Sequence, residues 1–248
     1  MELYGLVGRG VSHSFSPRYF AEKFKRLGLA AEYKLFDIDH ISELPEILAA
    51  NPELKGLNIT IPYKREVFDL LDFVQPASLQ TGSVNTLKIE RHDSGNWISG
   101  FNTDVVGFEN SLRNLVGRSK NRKALILGTG GSSRAVAYVL RKLGYFYLYV
   151  SQNPQKASQL GYPCVTEKIL SDYKLIINTT PLGMYPDISS FPNLPYHLLT
   201  SEHILFDLVY NPIETKFLTF GKERGAKTLS GLKMLEIQAD ASWEIWRK

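Results

Sequence analysis

The stretch KALILGTGGSSRAVAYVLRKLG, residues 123–144, runs from a short apolar segment through a glycine turn into a helical pattern. Gly128 permits a tight turn, and Gly130 lets the backbone come close to a bound group. A helix starting behind such a turn aims its unpaired amides and the positive end of its dipole at that spot. Ser133 takes the third position of the motif, where a small residue fits. Strand, glycine turn and helix in this order form the setting of a dinucleotide pyrophosphate site; the bland reading is a structural turn.

The chain beyond the turn repeats the same unit. YFYLYVSQN, YPCVT, YKLIINTTPLGM and HILFDLVYNP read as strands, and IETKFLTFGKERG as a helix. Such β-α-β order with short connections predicts a parallel, doubly wound sheet. An acid at the end of the second strand would bond the ribose hydroxyls of NAD and repel the 2′-phosphate of NADP. Here that strand ends in Ser151, Gln152 and Asn153, with no acid, so the pattern favours NADP. Lys156 either adds charge there or is a solvated helix residue.

Upstream, the first hundred residues also alternate strand and helix. LYGLVG, AEYKLFDI and GLNITI read as strands. SPRYFAEKFKRLGL reads as a helix with Ser16 as N-cap, Pro17 at its first position, Tyr19, Phe20, Phe24 and Leu27 as its apolar stripe, and Gly28 at its end. ISELPEILAAN and KREVFDLLDFV read as two more helices, and SVNTLKIE and WISGFN as strands joined by RHDSGN. TDVVGFENSLRNLV is a helix, followed by the basic connection RSKNRK, read as a solvated link. The fold class is therefore α/β in two domains. Residues 1–104, with the amphipathic C-terminal helix 232–248, form a mixed-sheet substrate domain, and residues 105–231 form a Rossmann-type dinucleotide domain.

Composition narrows the function classes. The chain has 248 residues, 44% of them hydrophobic, enough for two modest cores. A net charge of +4 suits an anionic small molecule and does not call for nucleic acid. No apolar run reaches the ~20 residues that span a bilayer, and the N-terminus lacks a signal-peptide pattern. The expectation is a soluble cytoplasmic protein without a membrane partner. The lone Cys164 excludes an intramolecular disulfide and reads as a buried apolar residue. The five histidines are scattered, so no metal is expected.

Polar clusters recur at the ends of the first-domain strands: SHSFSP, NITIPYK, SVNTL and FNTD. Singly, each is as easily a cap or turn. Together they bring hydroxyl, amide, ammonium and carboxylate groups suited to a small polyhydroxylated acid. With GLNITIPYK, GSVNTL, GFNTDVVGF, GTGGSSRA, NTTPLGM, DLVYNP and GLKMLEIQA in place, nearly the whole chain resembles the shikimate dehydrogenase family. The resemblance implies reversible NADPH-dependent reduction of 3-dehydroshikimate to shikimate in aromatic amino acid and chorismate biosynthesis. It implies Lys64 and Asp104 as the catalytic pair, and Ser14 and Ser16 as ligands of the substrate carboxylate. Thr60, Asn85, Tyr210 and Gln238 are further substrate contacts on the same basis. Gly128, Gly130 and Gly131 would cradle the pyrophosphate, and Thr179, Leu208 and Gly231 would line the nicotinamide side. NADP members of the family usually carry NRT and an arginine where this chain has SQN and Lys156. The alternatives are an NAD-dependent quinate/shikimate dehydrogenase and an inactive nucleotide-binding relative. Monomer and homodimer stay equally open.

Hydride delivery to a carbonyl leaves negative charge on oxygen, and a nearby lysine suits the task of proton donor. Asp104 would orient that ammonium, and in the reverse direction the neutral lysine would accept the hydroxyl proton.

Overall fold

The structure, a computed structural model, describes residues 1–93, 95–116 and 121–248. Part of the turn RHDSGN and the first half of RSKNRK lie outside the described residues. The chain divides into two compact units, residues 1–103 with 239–248, and residues 104–238. The division falls inside the last helix, α8 (Leu232–Trp246).

The first unit is a six-stranded mixed sheet in the order β2-β1-β3-β5-β6-β4. These strands are β1 (Glu2–Gly8), β2 (Ala31–Asp37), β3 (Leu54–Ile59), β4 (Phe73–Val74), β5 (Thr86–His92) and β6 (Gly95–Phe101). β1 runs parallel to β2 and β3, while β5 is antiparallel to both β3 and β6. The period of two sorts side chains between two cores. Leu3, Val7, Leu57 and Ile59 face one, with Leu44 and Leu48 of α2 (Leu44–Ala50). Tyr4 and Leu6 face the other, with Phe20 and Phe24 of α1 (Ser16–Leu27) and Trp243 and Trp246 of α8.

Four local expectations are corrected. Ser16 is the first helical residue rather than the N-cap: Phe15 holds the cap position, and the Ser14 hydroxyl accepts the Ser16 amide at 3.2 Å. Leu27 is exposed, and the buried stripe of α1 instead includes Lys23, which is paired with Asp240 of α8. KREVFDLLDFV is not one helix. It is a 3₁₀ turn at Glu66–Leu70 followed by β4, because Asp72, Phe73 and Val74 are drawn onto the edge of β6. There the Asp72 amide donates to Ile98 O at 2.9 Å, and the Ile98 amide returns a bond to the Asp72 carboxylate at 2.7 Å. YPCVT is not a strand: Tyr162–Cys164 forms a 3₁₀ turn in which Tyr162 and Val165 point inward, leaving Cys164 exposed. Gly28 ends α1 as expected, at φ 64°.

The second unit is a six-stranded, all-parallel sheet in the order β12-β11-β10-β7-β8-β9. Its strands are β7 (Lys123–Leu127), β8 (Phe146–Ser151), β9 (Gln159–Gly161), β10 (Leu175–Asn178), β11 (Ile204–Asp207) and β12 (Lys227–Leu229). Both faces are buried. Ala124 and Ile126 pack with α4 (Thr103–Val116) and α5 (Gly131–Lys142). Leu125 and Leu127 pack with Leu170 of α6 (Glu167–Asp172) and with Phe217 and Leu218 of α7 (Lys216–Glu223). A further short helix, α3 (Pro76–Thr81), belongs to the first unit. Among the described residues, no helix is long and apolar enough to cross a membrane.

Candidate active site

In the first sheet the neighbours of β1 lie on opposite sides, β2 on one and β3 on the other. Ligands of open α/β sheets bind outside the carboxyl ends of strands at such a reversal. The register brings the sequence-expected groups to this edge. Ser14 and Ser16 follow β1, Thr60 and Lys64 follow β3, and Asn85 precedes the antiparallel β5, whose Thr86 sits opposite Asn58 of β3 and Phe101 of β6. Asn102 and Thr103 follow β6.

Backbone bonds tie these loops together. The Thr60 amide donates to Val7 O at 3.0 Å, the Ile59 amide to Asn85 O at 2.9 Å, and the Val84 amide to Lys64 O at 2.8 Å. A Cβ on Gly8 would lie 2.4 Å from Thr60 Cγ2 and 2.6 Å from Val11 Cγ1, so only glycine lets the two loops approach here. Lys64 is half-buried between two buried anchors. Tyr63 donates its hydroxyl to Ile38 O at 2.6 Å, and the Val67 amide donates back to Tyr63 O at 3.1 Å. The loop is thus pinned from below on either side of the lysine. Asn85 is buried, and its Oδ1 accepts the Thr103 amide at 2.7 Å, the Thr103 hydroxyl at 3.1 Å and the Thr86 hydroxyl at 3.2 Å. That carboxamide caps the start of α4, whose next residue is the half-buried Asp104.

Asn58, which shares a strand face with Thr60, is buried beneath α8 rather than exposed. Its Oδ1 accepts the Tyr33 hydroxyl at 2.8 Å, and its Nδ2 reaches Ser242 Oγ at 3.0 Å. Sequence reasoning passes over Tyr33 and Ser242. The available signal is Ser242 itself, the one hydroxyl residue in α8, buried beside Trp243 and Trp246.

In the second unit the reversal lies at β7, between β8 and β10. Gly128 follows β7 at φ +97°, where a side chain would be strained, and a Cβ there would also press on Thr180 Cγ2 at 2.8 Å. At Gly130 and Gly131, which open α5, a Cβ would meet nothing within 4 Å. Their open backbone at a helix N-terminus fits a pyrophosphate. Ser133 is buried and its hydroxyl donates to Gly130 O at 2.6 Å, bracing the turn. Thr179, at the end of β10, is fixed by its amide and hydroxyl, which donate to Leu127 O at 3.0 and 2.6 Å. Ser151 ends β8, and its hydroxyl accepts the Asn153 amide at 3.2 Å. Lys156 is exposed and lies in a turn leading into β9, not in a helix, because the chain pairs at once with β8.

Leu208 follows β11, and its amide donates to Asn178 O at 3.0 Å. Gly231 lies against it so tightly that a Cβ would sit 2.1 Å from Leu208 O. Tyr210 is half-buried, and loss of solvent pushes its phenol pKa up. Gln238 is buried, with its Nε2 donating to Leu235 O at 3.1 Å. Beneath these loops lies a carboxylate that sequence reasoning also passes over. Asp207 is fully buried and accepts Asn178 Nδ2 at 3.0 Å, the Val209 amide at 3.0 Å and the Thr215 hydroxyl at 2.6 Å. Burial outweighs these bonds and raises its pKa to about 6. Asn178 in turn accepts the Thr180 amide at 3.0 Å and the Thr180 hydroxyl at 2.6 Å. One acid thereby joins the loops that follow β10 and β11. Asp207 opens the quoted motif DLVYNP, but the run reads as a buried strand and only Leu208 and Tyr210 are singled out from it.

Ser14, Ser16, Thr60, Lys64 and Asn85 thus share one sheet edge. Asp104, Tyr210, Gln238 and the nucleotide-side residues belong to the second unit. Among the described residues, no group of three or more His, Cys, Asp or Glu is placed to hold a metal ion.

Comparison with known proteins gives the arrangement a context. A model of the shikimate dehydrogenase substrate binding domain matches residues 6–87. A shikimate dehydrogenase (NADP(+)) of Methanococcus vannielii is 36% identical, over 98% of this chain and 90% of its own. Shikimate 5-dehydrogenase from Thermus thermophilus, solved with NADP(H) and shikimate, superposes with a TM-score of 0.85 at 33% identity, over 99% of this chain and 93% of that one. Quinate dehydrogenase from Corynebacterium glutamicum, solved with NAD, gives a TM-score of 0.87 at 28% identity, over 99% and 93%.

Proposed function

The chain belongs to the shikimate dehydrogenase family, and from that premise we propose that it catalyses the reversible NADPH-dependent reduction of 3-dehydroshikimate to shikimate. The observation that carries the reading is the 36% identity to an NADP-dependent shikimate dehydrogenase over 98% of the chain. The reaction belongs to cytosolic biosynthesis of aromatic compounds, with diffusible small molecules as the partners.

When bound, NADPH supplies the hydride that reduces the substrate carbonyl. Gly128, Gly130 and Gly131 would hold its pyrophosphate, and Thr179, Leu208 and Gly231 its nicotinamide side. The absence of an acid beside Ser151 suits the 2′-phosphate, and Lys156 adds positive charge near it. Lys64 donates a proton to the oxygen on which negative charge develops, and accepts it back in the oxidation direction. Asp104 orients the lysine and stabilises its cationic form. Ser14 and Ser16 fix the carboxylate of the substrate, while Thr60, Asn85, Tyr210 and Gln238 fix its ring hydroxyls. The loop bonds among Thr60, Lys64 and Asn85 support this division of roles. They hold the donors in place before substrate arrives, which reduces the entropy cost of alignment.

Initial rates of nicotinamide absorbance change, with shikimate or quinate paired with NADP⁺ or NAD⁺, test the reading. The highest kcat/KM is expected for shikimate with NADP⁺. A preference for quinate with NAD⁺, or no turnover with either acid, would overturn it.

A further inference from the structure

Two buried side chains brace the loops proposed to receive the nicotinamide. Asn178 and Asp207 end the neighbouring parallel strands β10 and β11, and the register sets them opposite one another. Both are fully buried beneath the loops that follow. The ladder between the strands closes here, with the Leu208 amide donating to Asn178 O at 3.0 Å. Past that bond, the Asn178–Asp207 pair carries the connection on into the loops.

The pair has a fixed sense. A backbone amide can only donate, so the Asn178 atom that takes the Thr180 amide at 3.0 Å is Oδ1, and Nδ2 faces Asp207. Both hydrogens and both lone pairs of the carboxamide are then used. Nδ2 reaches Asp207 Oδ1 at 3.0 Å and Leu182 O at 3.4 Å, and Oδ1 also takes the Thr180 hydroxyl at 2.6 Å. On the other side, Asp207 Oδ1 takes the Val209 amide at 3.0 Å and Oδ2 takes the Thr215 hydroxyl at 2.6 Å. A buried network satisfied to this degree is rigid. Apolar residues at these two positions would leave the Thr180 and Val209 amides without these acceptors.

The segments held in this way border the glycine turn and Gly231. A Cβ at Gly128 would lie 2.8 Å from Thr180 Cγ2 and 3.1 Å from Thr179 Oγ1. The Gly231 amide donates to Val209 O at 3.0 Å, and a Cβ there would press on Leu208 O. We propose that Asn178 and Asp207 are positioning residues for the nicotinamide half of the cofactor: through these buried bonds they hold the Thr179–Thr180 turn and the Leu208–Val209 loop at a fixed separation, without touching the cofactor. The proposal rests on the reading of Thr179, Leu208 and Gly231 as the nicotinamide side of an NADP site. It divides the cofactor in two, because the end near Ser151 and Lys156 then binds its phosphate independently of the pair.

The test is calorimetric titration of the full-length protein at neutral pH with two probes. One is NADP⁺, and the other is adenosine 2′,5′-bisphosphate, which keeps the phosphorylated adenosine and lacks the nicotinamide. Asp207→Ala is expected to raise Kd for NADP⁺ about tenfold, the loss of one hydrogen bond's worth of alignment, and to leave Kd for the bisphosphate within about twofold of wild type. Asp207→Asn is expected to restore NADP⁺ binding, because its oxygen and amide keep Asn178, Val209 and Thr215 as partners. Equal weakening of both probes in Asp207→Ala would show general loosening of the unit and overturn the proposal. Unchanged NADP⁺ binding, or an asparagine variant as weak as the alanine one, would overturn it too, while leaving the functional reading standing. Failure of the wild-type protein to bind NADP⁺ would remove both together. If Asp207→Ala folds poorly, Thr180→Val applies the same test, since it keeps the methyl that packs on the glycine turn and removes the hydroxyl shared by Asn178 and the Leu182 amide. It is expected to raise Kd for NADP⁺ about threefold with the bisphosphate unaffected, and an unchanged Kd for NADP⁺ would overturn the proposal.

Discussion

Replacing Asp207 with alanine removes the acceptor shared by Asn178 Nδ2, the Val209 amide and the Thr215 hydroxyl. All three donors are in buried residues, and each left unpaired costs roughly 1–3 kcal/mol. Thr215 can rotate toward another acceptor, so the sum worked from the structure is about 3–5 kcal/mol. Asparagine is different: its oxygen can serve Asn178 and Val209, and its amide can donate to Thr215 Oγ1. Ionisation adds a pH signature. The folded pKa of about 6 lies above the ordinary 3.8, so between those values the folded state keeps a proton that the unfolded chain releases. This contribution to stability is fully present below about pH 4 and is lost as the pH rises to about 6, a total on the order of 3 kcal/mol. Urea unfolding from pH 4 to pH 8 is the assay. Asp207→Ala is expected to lose about 3–5 kcal/mol at about pH 4, where the wild-type acid is neutral, and less at about pH 7.5, while Asp207→Asn is expected to stay within about 1 kcal/mol of wild type at about pH 4 and to exceed it at about pH 7.5 because it has no charge to bury. Equal losses in both variants would refute the argument, because asparagine keeps the donors paired and alanine does not.

Three further outcomes follow from the same geometry. Gly231→Ala places a Cβ 2.1 Å from the Leu208 carbonyl oxygen, which is backbone and cannot swing away; overpacking of about 1–3 kcal/mol and a raised KM for NADP⁺ are expected by thermal melting and steady-state kinetics. Ser14→Ala is expected to raise KM for shikimate about tenfold with KM for NADP⁺ little changed, the loss of a charge-assisted bond; equal effects on both would count against its role. Lys156→Glu is expected to raise KM for NADP⁺ several-fold with NAD⁺ unaffected, and the difference should shrink in high salt because the residue is exposed.

The glycine turn and the parallel sheet were legible in the sequence because both depend on local signals: backbone freedom at Gly128 and runs such as ALIL that are apolar on both faces. The polar clusters were legible as a group because each sits at a strand end. What was not legible depends on distant partners. KREVFDLLDFV has a helical period, yet Phe73 and Val74 pair with β6, from a later part of the chain. Cys164 resembled a core residue, but Tyr162 and Val165 take the inward positions of its turn. Lys23 interrupts an apolar stripe and is buried only because Asp240, far along the chain, meets it. Tyr33, Ser242 and Asp207 meet partners distant in sequence, and their roles emerge only when strands and helices bring those partners together.

The central claim is that Lys64 moves the proton. Single-turnover and steady-state rates of shikimate oxidation with NADP⁺ by Lys64→Ala test it most directly. The account predicts a fall in kcat of ~10²–10⁴-fold with binding of shikimate partly retained and binding of NADP⁺ unchanged. A kcat near that of the wild-type enzyme would contradict it.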